Sequence, residues 1–322
     1  MKRISVSVFL VMVLVAGFAW AGGQAESGEE ELRVAGIMMA SDVEWFRYID
    51  AGMSAAAAEE GIDYVNGNAE MDVVKEGNLI DTYTAQGFDG IIVSALDSSA
   101  SLPAIERAKE AGVTVINYNT TPPGMDYFIG IDNYNLGYQM GEYLANYIEE
   151  NGIENPKLAM VTISMFEVGI QRAEGFLDGI SGVEDLEIVA EQDAAGPEGG
   201  ADVVETILQA NPDLDYIWAA NEGGAVGAVV GVTTSGRADD VMVFGTDMSA
   251  QAAQYLLDEE SPLYAVSTQQ PYQIGYQSMK TAAAVLRGEE APSEVIVPLD
   301  LYSKADLARV EEYVAEAEEI MN

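Results

Sequence analysis

The chain has 322 residues and a formal charge of −40, with 54 Asp and Glu against 14 Lys and Arg, and it contains neither His nor Cys. Ser-His-Asp hydrolysis, thiol catalysis, H-E-x-x-H metal sites and disulfide staples are therefore excluded. The acid excess excludes nucleic acid and anionic membrane surfaces as partners, because both are bound by basic patches.

Such an excess is either a solvated, self-repelling surface or an adaptation to a saline medium, where screening relieves the repulsion. Carboxylate-pair glycosidase chemistry survives the exclusions, since it needs neither His nor Cys.

The first residues read as an export signal. Lys2 and Arg3 open the chain, an apolar run follows from Val6 to Phe18, and Ala19-Trp20-Ala21 closes it with small residues at the cleavage positions. The run is shorter than the ~20 apolar residues a spanning helix needs. We therefore expect residues 1–21 to be removed, placing the mature protein in the periplasm or outside the cell. No Cys follows the apolar run to carry a lipid, so no direct membrane insertion is expected after processing. Gly22 to Glu31 reads as an acidic linker.

Beyond the linker, short apolar runs alternate with helical patterns. The predicted strands and helices are, in order, Leu32–Met38, an Ala-rich helix Trp45–Glu60, Gly90–Val93, helix Ser98–Ala111, Val113–Ile116, Tyr127–Ile131 and helix Leu136–Glu149. The rhythm then restarts: Leu158–Ile163, a helix from Val168, Leu186–Ala190, helix Ala201–Gln209 and Tyr216–Ala219. It continues with helix Ala225–Thr233, Val241–Phe244, helix Ala250–Asp258 and Leu263–Val266. In the tail Ala305–Met321, the residues Leu307, Val310, Val314 and Ala317 predict an amphipathic helix. Two blocks of βα units of this kind imply an α/β protein with two doubly wound, parallel-sheet lobes.

Ligands of such sheets bind beyond the carboxyl ends of the strands, and there the sequence turns polar. The strand around Ile92 ends on Ser94, the one around Ile116 leads to Asn119-Thr120, and Trp218-Ala219-Ala220 ends on Asn221. Phe244-Gly245-Thr246 ends on Asp247, and the strand at Val266 runs into Thr268-Gln269. Any one of these is an ordinary helix cap or turn residue. Five together describe a polar cleft. Trp45-Phe46 follows the first strand, where a Trp face suits a C–H-rich sugar ring and a core role is the alternative. Arg172 is one of few cations, either in a surface ion pair or aimed as a planar fork at ligand oxygens.

These residues carry a resemblance. QRAEGF (171–176), WAANE (218–222), FGTD (244–247), QQPYQIG (269–275) and IGIDNYNLG (129–137) resemble, collinearly over about residues 32–300, the type I periplasmic binding proteins of the ribose-binding class. The resemblance implies the substrate-binding component of a sugar ABC importer, with the transporter's membrane permease as partner, no cofactor and no enzymatic activity. It implies ligand contacts from Trp45, Phe46, Ser94, Asn119, Thr120, Arg172, Asn221, Asp247 and Gln269. It also implies a multi-strand hinge, with lobe one at 32–131 plus 270–296 and lobe two at 132–269 plus 297–322.

Three departures bear on the ligand. Asn119-Thr120 stands where ribose binders have an Asp-Arg pair, and Ala195 stands where they have a second-lobe aromatic, for which Phe166 is a candidate substitute. The Asn of the first loop falls near Asp42 or Val43. The expected ligand is accordingly a small neutral sugar or polyol other than D-ribose. A sensory receptor presenting its ligand to a signalling protein remains an alternative, and a glycosidase a remoter one. A sugar-responsive repressor would need a basic helix-turn-helix where this chain has its export signal.

Overall fold

A computed structural model describes residues 32–120 and 122–321. The export signal and the acidic linker lie outside the described residues.

The first block runs β1 (Arg33–Met38), α1 (Glu44–Glu60), β2 (Asp63–Asn68), α2 (Val73–Ala85), β3 (Gly90–Val93), α3 (Leu102–Glu110), β4 (Thr114–Tyr118) and β5 (Phe128–Gly130). The second runs α4 (Asn133–Glu150), β6 (Lys157–Thr162), α5 (Glu167–Ile180), β7 (Glu187–Asp193), α6 (Pro197–Ala210) and β8 (Tyr216–Ala219). It continues through α7 (Glu222–Thr234), β9 (Met242–Thr246), α8 (Ala250–Leu257) and β10 (Leu263–Thr268). The chain ends with α9 (Pro271–Leu286), β11 (Glu294–Ile296), β12 (Asp300–Ser303) and α10 (Leu307–Met321).

Two six-stranded sheets result, ordered β11-β5-β4-β3-β1-β2 and β12-β10-β9-β8-β6-β7. Every pairing in the first is parallel. In the second, the edge strand β12 joins β10 antiparallel, with Val266 opposite Tyr302, while the other pairings are parallel, as doubly wound sheets often allow at an edge. β11 closes the edge of the first sheet beside β5, and β12, four residues on, closes the edge of the second beside β10. The central strands are buried on both faces, as parallel sheets between helix layers are.

Several predicted elements shift or are joined by others. The helix expected from Ser98 begins at Leu102, because the Asp97 side chain first accepts from the backbone N–H groups of Ser99 (2.9 Å) and Ala100 (2.7 Å). That Asx turn ends only where Pro103 can enter the first helical turn. β2, α2, α9, β11 and β12 are additions to the sequence reading. β2 is the edge strand DYVNGN, mostly half-buried or exposed, and pairs with β1 through its backbone. In α10, Leu307 is 38% exposed, while Val310 is fully buried. Tyr313 and Val314 pack against the same core, so the inward face starts one turn later than expected.

Helix pairs approach closely through glycine, α4 with α5 and α1 with α9 among them. A Cβ on Gly137 of α4 would lie 1.9 Å from the Arg172 carbonyl oxygen of α5, and one on Gly175 would lie 1.9 Å from that of Tyr134. On the other sheet, a Cβ on Gly275 of α9 would sit 2.0 Å from the Ile49 carbonyl oxygen of α1. These contacts set the heights at which Arg172 and Trp45 are presented.

Candidate ligand-binding site

The strand ends and helix starts converge on a cavity of about 340 Å³, within the range of small-molecule sites. Its wall includes Trp45, Phe46, Asn119, Arg172, Asn221, Asp247 and Gln269. Ser94 and Thr120 stand outside the lining. Ser94 is 1% exposed and accepts from the Asn119 amide at 3.5 Å, while the Thr120 hydroxyl donates to the Ala95 carbonyl at 3.1 Å.

On the first-sheet side, Val43 in extended conformation caps α1 and puts Trp45 and Phe46 in its first turn. The Trp45 ring stacks on Tyr118 (centroids 6.4 Å apart, 23° between planes) and meets Phe46 edge-on at 4.9 Å. Phe46 is also part of the buried core, so both readings of this aromatic pair apply to it. Asn119 follows β4 with φ +61°, a left-handed conformation that Asn tolerates and that turns its amide towards the cavity.

On the second-sheet side a buried polar chain runs from α4 to the end of β10. Arg172 is 5% exposed. Its Nε donates to Asn133 Oδ1 at 3.0 Å, and its Nη1 donates to the Ala220 carbonyl (2.9 Å) and to Asp247 Oδ2 (2.7 Å). Gln269 Nε2 donates to Asp247 Oδ1 at 2.8 Å. Asp247 therefore has a partner on each oxygen, and it too is left-handed, with φ +68°. Strained backbone at a ligand cleft persists only where its surroundings over-determine it, as the paired carboxylate does here. Asn221 caps α7: its Oδ1 accepts from Gly224 N (3.1 Å) and its Nδ2 donates to the Ala195 carbonyl (2.8 Å). The amide is thus largely committed to shaping the wall.

Four wall residues carry signals the sequence reading passed over. Glu44 and Glu222 open α1 and α7 directly after strand ends, and Ser249 and Pro271 begin α8 and α9 in the same way. Each sits within two positions of a residue that was singled out, but nothing in the local pattern says which way a first-turn side chain points. Glu44 Oε1 accepts from Ala250 N at 3.2 Å, linking α1 beside the first sheet to α8 beside the second. Burial, then the carboxylates of Asp247 and Glu44, push the Glu222 carboxyl above the usual range, against a hydrogen bond from Ser249 that holds it down. Of the other candidates, Val43 and Ala195 line the cavity, Asp42 is not in its wall, and Phe166 is 52% exposed and outside it.

No group of three or more acids among the described residues is placed to hold a metal ion. The arrangement suits reversible capture: an aromatic face opposite a fixed ladder of donors and acceptors, each held by a second protein group. No helix among the described residues is long and apolar enough to cross a membrane.

Comparison with known proteins agrees with this geometry. Residues 34–290 match the model of the periplasmic binding protein domain. The ABC transporter periplasmic-binding protein YphF of Escherichia coli is 31% identical over 293 residues, covering 88% of this chain and 89% of that one. The ribose import binding protein RbsB of Bacillus subtilis is 25% identical, covering 93% and 98%. Among solved structures, an ABC transporter periplasmic solute-binding protein of Actinobacillus succinogenes with bound D-allose superposes with a TM-score of 0.80 at 27% identity, covering 87% of this chain and all of that one. A solute-binding protein of Bacillus halodurans with bound myo-inositol shares the fold, with a TM-score of 0.77 at 24% identity over 90% of this chain and all of that one. With a family match over most of its length and a cleft at the strand ends of two α/β lobes, this chain belongs to the periplasmic binding protein family.

Proposed function

We propose that this chain is the substrate-binding component of an ABC importer, holding one small, neutral, hydroxyl-rich sugar or polyol between its lobes. One observation carries the reading: the cavity combines the Trp45 face from one side with the Arg172–Asp247–Gln269 ladder from the other. A sugar ring needs both, an apolar face for its C–H groups and paired donors and acceptors for its hydroxyls. A buried hydroxyl left without a partner costs about 1–3 kcal/mol.

Trp45, Phe46, Asn119, Arg172, Asn221, Asp247 and Gln269 are the contacts in this reading, with Ser94 and Thr120 acting behind Asn119. The lobes are 32–131 plus 270–296 and 132–269 plus 297–322, and they close by bending at the three crossings between them. The partner is the importer's membrane permease, which meets the closed form after residues 1–21 have been removed on export. The site releases its ligand unchanged: Asp247 is paired on both oxygens, so it serves as an acceptor and not as a nucleophile.

The test is a thermal-shift panel of D-allose, D-arabinose, D-ribose, D-glucose and myo-inositol. A ligand that binds only the folded protein adds ~2.7 kcal/mol at a hundredfold excess over Kd. A sugar or polyol other than D-ribose is expected to raise the melting temperature. No shift with any of them, or turnover of a glycoside, would refute the reading.

A further inference from the structure

The charged groups of the cavity wall do not balance. Arg172 is the only cation among its described lining residues, against the carboxylates of Glu44, Glu222 and Asp247. The guanidinium is already committed to Asp247 at 2.7 Å. Glu44 has the backbone N–H of Ala250, and Glu222 has the hydroxyl of Ser249. Among the described residues neither acid forms an ion pair. Of the elements around Glu222, α7, α8, β8 and β9 carry no Lys or Arg; β6 carries Lys157, at the strand's first residue and paired with Asp213, α1 carries Arg47 one turn beyond Glu44, and α6 brings Glu198 in its first turn. A closed cleft that excludes water strengthens the repulsion between acids it brings together.

We propose that Glu222 is a ligand-facing residue that works as an uncharged carboxylic acid, taking up a proton as the lobes close and donating that hydrogen to an oxygen of a neutral sugar. This rests on the reading of the cleft as a sugar site. The proton comes from solvent and returns there on opening, so no bond of the ligand is broken.

Glu44 and Glu222 come from opposite sides of the cleft, so closure itself brings the two acids together. Their mutual repulsion is felt in the closed state and relieved in the open one. The N-terminus of α7 favours the ionised form by its dipole, as does the Ser249 hydroxyl. Burial and the two neighbouring carboxylates outweigh them. A protonated Glu222 also supplies a donor in a wall rich in acceptors, and a ligand lacking an acceptor oxygen at that point would leave it unpaired.

The sign follows from linkage. A carboxyl raised above its ordinary value of 4.5 binds more protons closed than open or unfolded. Affinity and stability are therefore greatest below that value and fall as pH rises towards the closed-state value, with a slope of up to about tenfold in affinity per pH unit.

The experiment is calorimetric titration of D-allose and myo-inositol from about pH 4 to about pH 8, with melting of the sugar-bound protein over the same range. Wild type is compared with Glu222→Gln and Glu44→Gln. The expected result is wild-type affinity that weakens as pH rises, a flat profile in Glu222→Gln, and a shallower slope in Glu44→Gln. Glu222→Gln should also gain melting temperature on wild type as pH rises when the sugar is bound. A flat wild-type profile, or an unchanged slope in Glu222→Gln, would overturn the proposal. So would binding of D-glucosamine in preference to D-glucose that strengthens with pH, since the acids would then be holding an ammonium group. If none of these sugars binds, the sugar reading itself fails; if one binds with a flat pH profile, the sugar reading stands and the Glu222 proposal alone fails.

Discussion

Replacing Arg172 with Met is the sharpest perturbation of the cleft. The guanidinium is 5% exposed and makes bonds to Asn133 Oδ1, the Ala220 carbonyl and Asp247 Oδ2. Met fills much of the same volume and donates nothing. Two neutral acceptors lose a partner, Asn133 at 8% exposure and Ala220 at 0%, each worth ~1–3 kcal/mol if left unpaired. Asp247 keeps only Gln269, and breaking a buried ion pair by removing one partner costs ~3–5 kcal/mol. The losses overlap, because relaxation that helps one acceptor helps its neighbours, so the net expectation is ~3–5 kcal/mol of stability. Urea denaturation followed by Trp fluorescence would measure it. Affinity for the sugar should fall by a further ~2–4 kcal/mol, read by calorimetry on the fraction that remains folded. Asp247→Asn keeps shape and hydrogen-bonding capacity, and should be milder than Arg172→Met in stability. If Arg172→Met were within about 1 kcal/mol of wild type, the pair would be behaving as a solvated surface ion pair, and the buried-ladder argument would be wrong.

Gly137→Ala would drive a methyl group into the Arg172 carbonyl, which lies 1.9 Å from the ideal Cβ position. α4 and α5 must part, and we expect a loss above about 3 kcal/mol in denaturant. Gly61→Ala, at φ +64° with open space around its Cβ, should cost only about 1 kcal/mol. Glu76 is fully buried, and burial pushes its carboxyl up despite the hydrogen bonds from Ser101 and Leu96 N. The wild type should therefore lose stability relative to Glu76→Gln as pH rises above the ordinary value of 4.5, and a constant difference across pH would contradict this. Tyr313→Phe removes the hydrogen bond between α10 and Tyr48 of α1. A loss of ~1 kcal/mol in thermal unfolding is expected, and an unchanged midpoint would show that α10 is held by Val310 and its neighbours alone.

Much of the architecture is legible in the residues themselves. Strands such as Gly90–Val93 and Tyr216–Ala219 are buried on both faces, so they must be continuously apolar, and a continuous apolar run is visible in one dimension. The polar residue after such a run marks the end of the sheet, and this is why Asn119, Asn221, Asp247 and Gln269 could be placed at a cleft from sequence. The absence of His and Cys closed off whole classes of chemistry before any fold was considered. What the tertiary structure decided is what depends on partners distant in the chain. β2 is held through its backbone to β1, and backbone hydrogen bonds leave little trace in side-chain pattern. Ser94 and Thr120 sit at a strand end like the others but bond inward to Asn119 and Ala95, a direction set by backbone angles and not by residue type. Glu44 and Glu222 are 178 positions apart in number, each an ordinary first-turn acid of its helix. They become one electrostatic problem only when two lobes bring α1 and α7 to the same cavity, because the energy of a charge depends on what surrounds it in space.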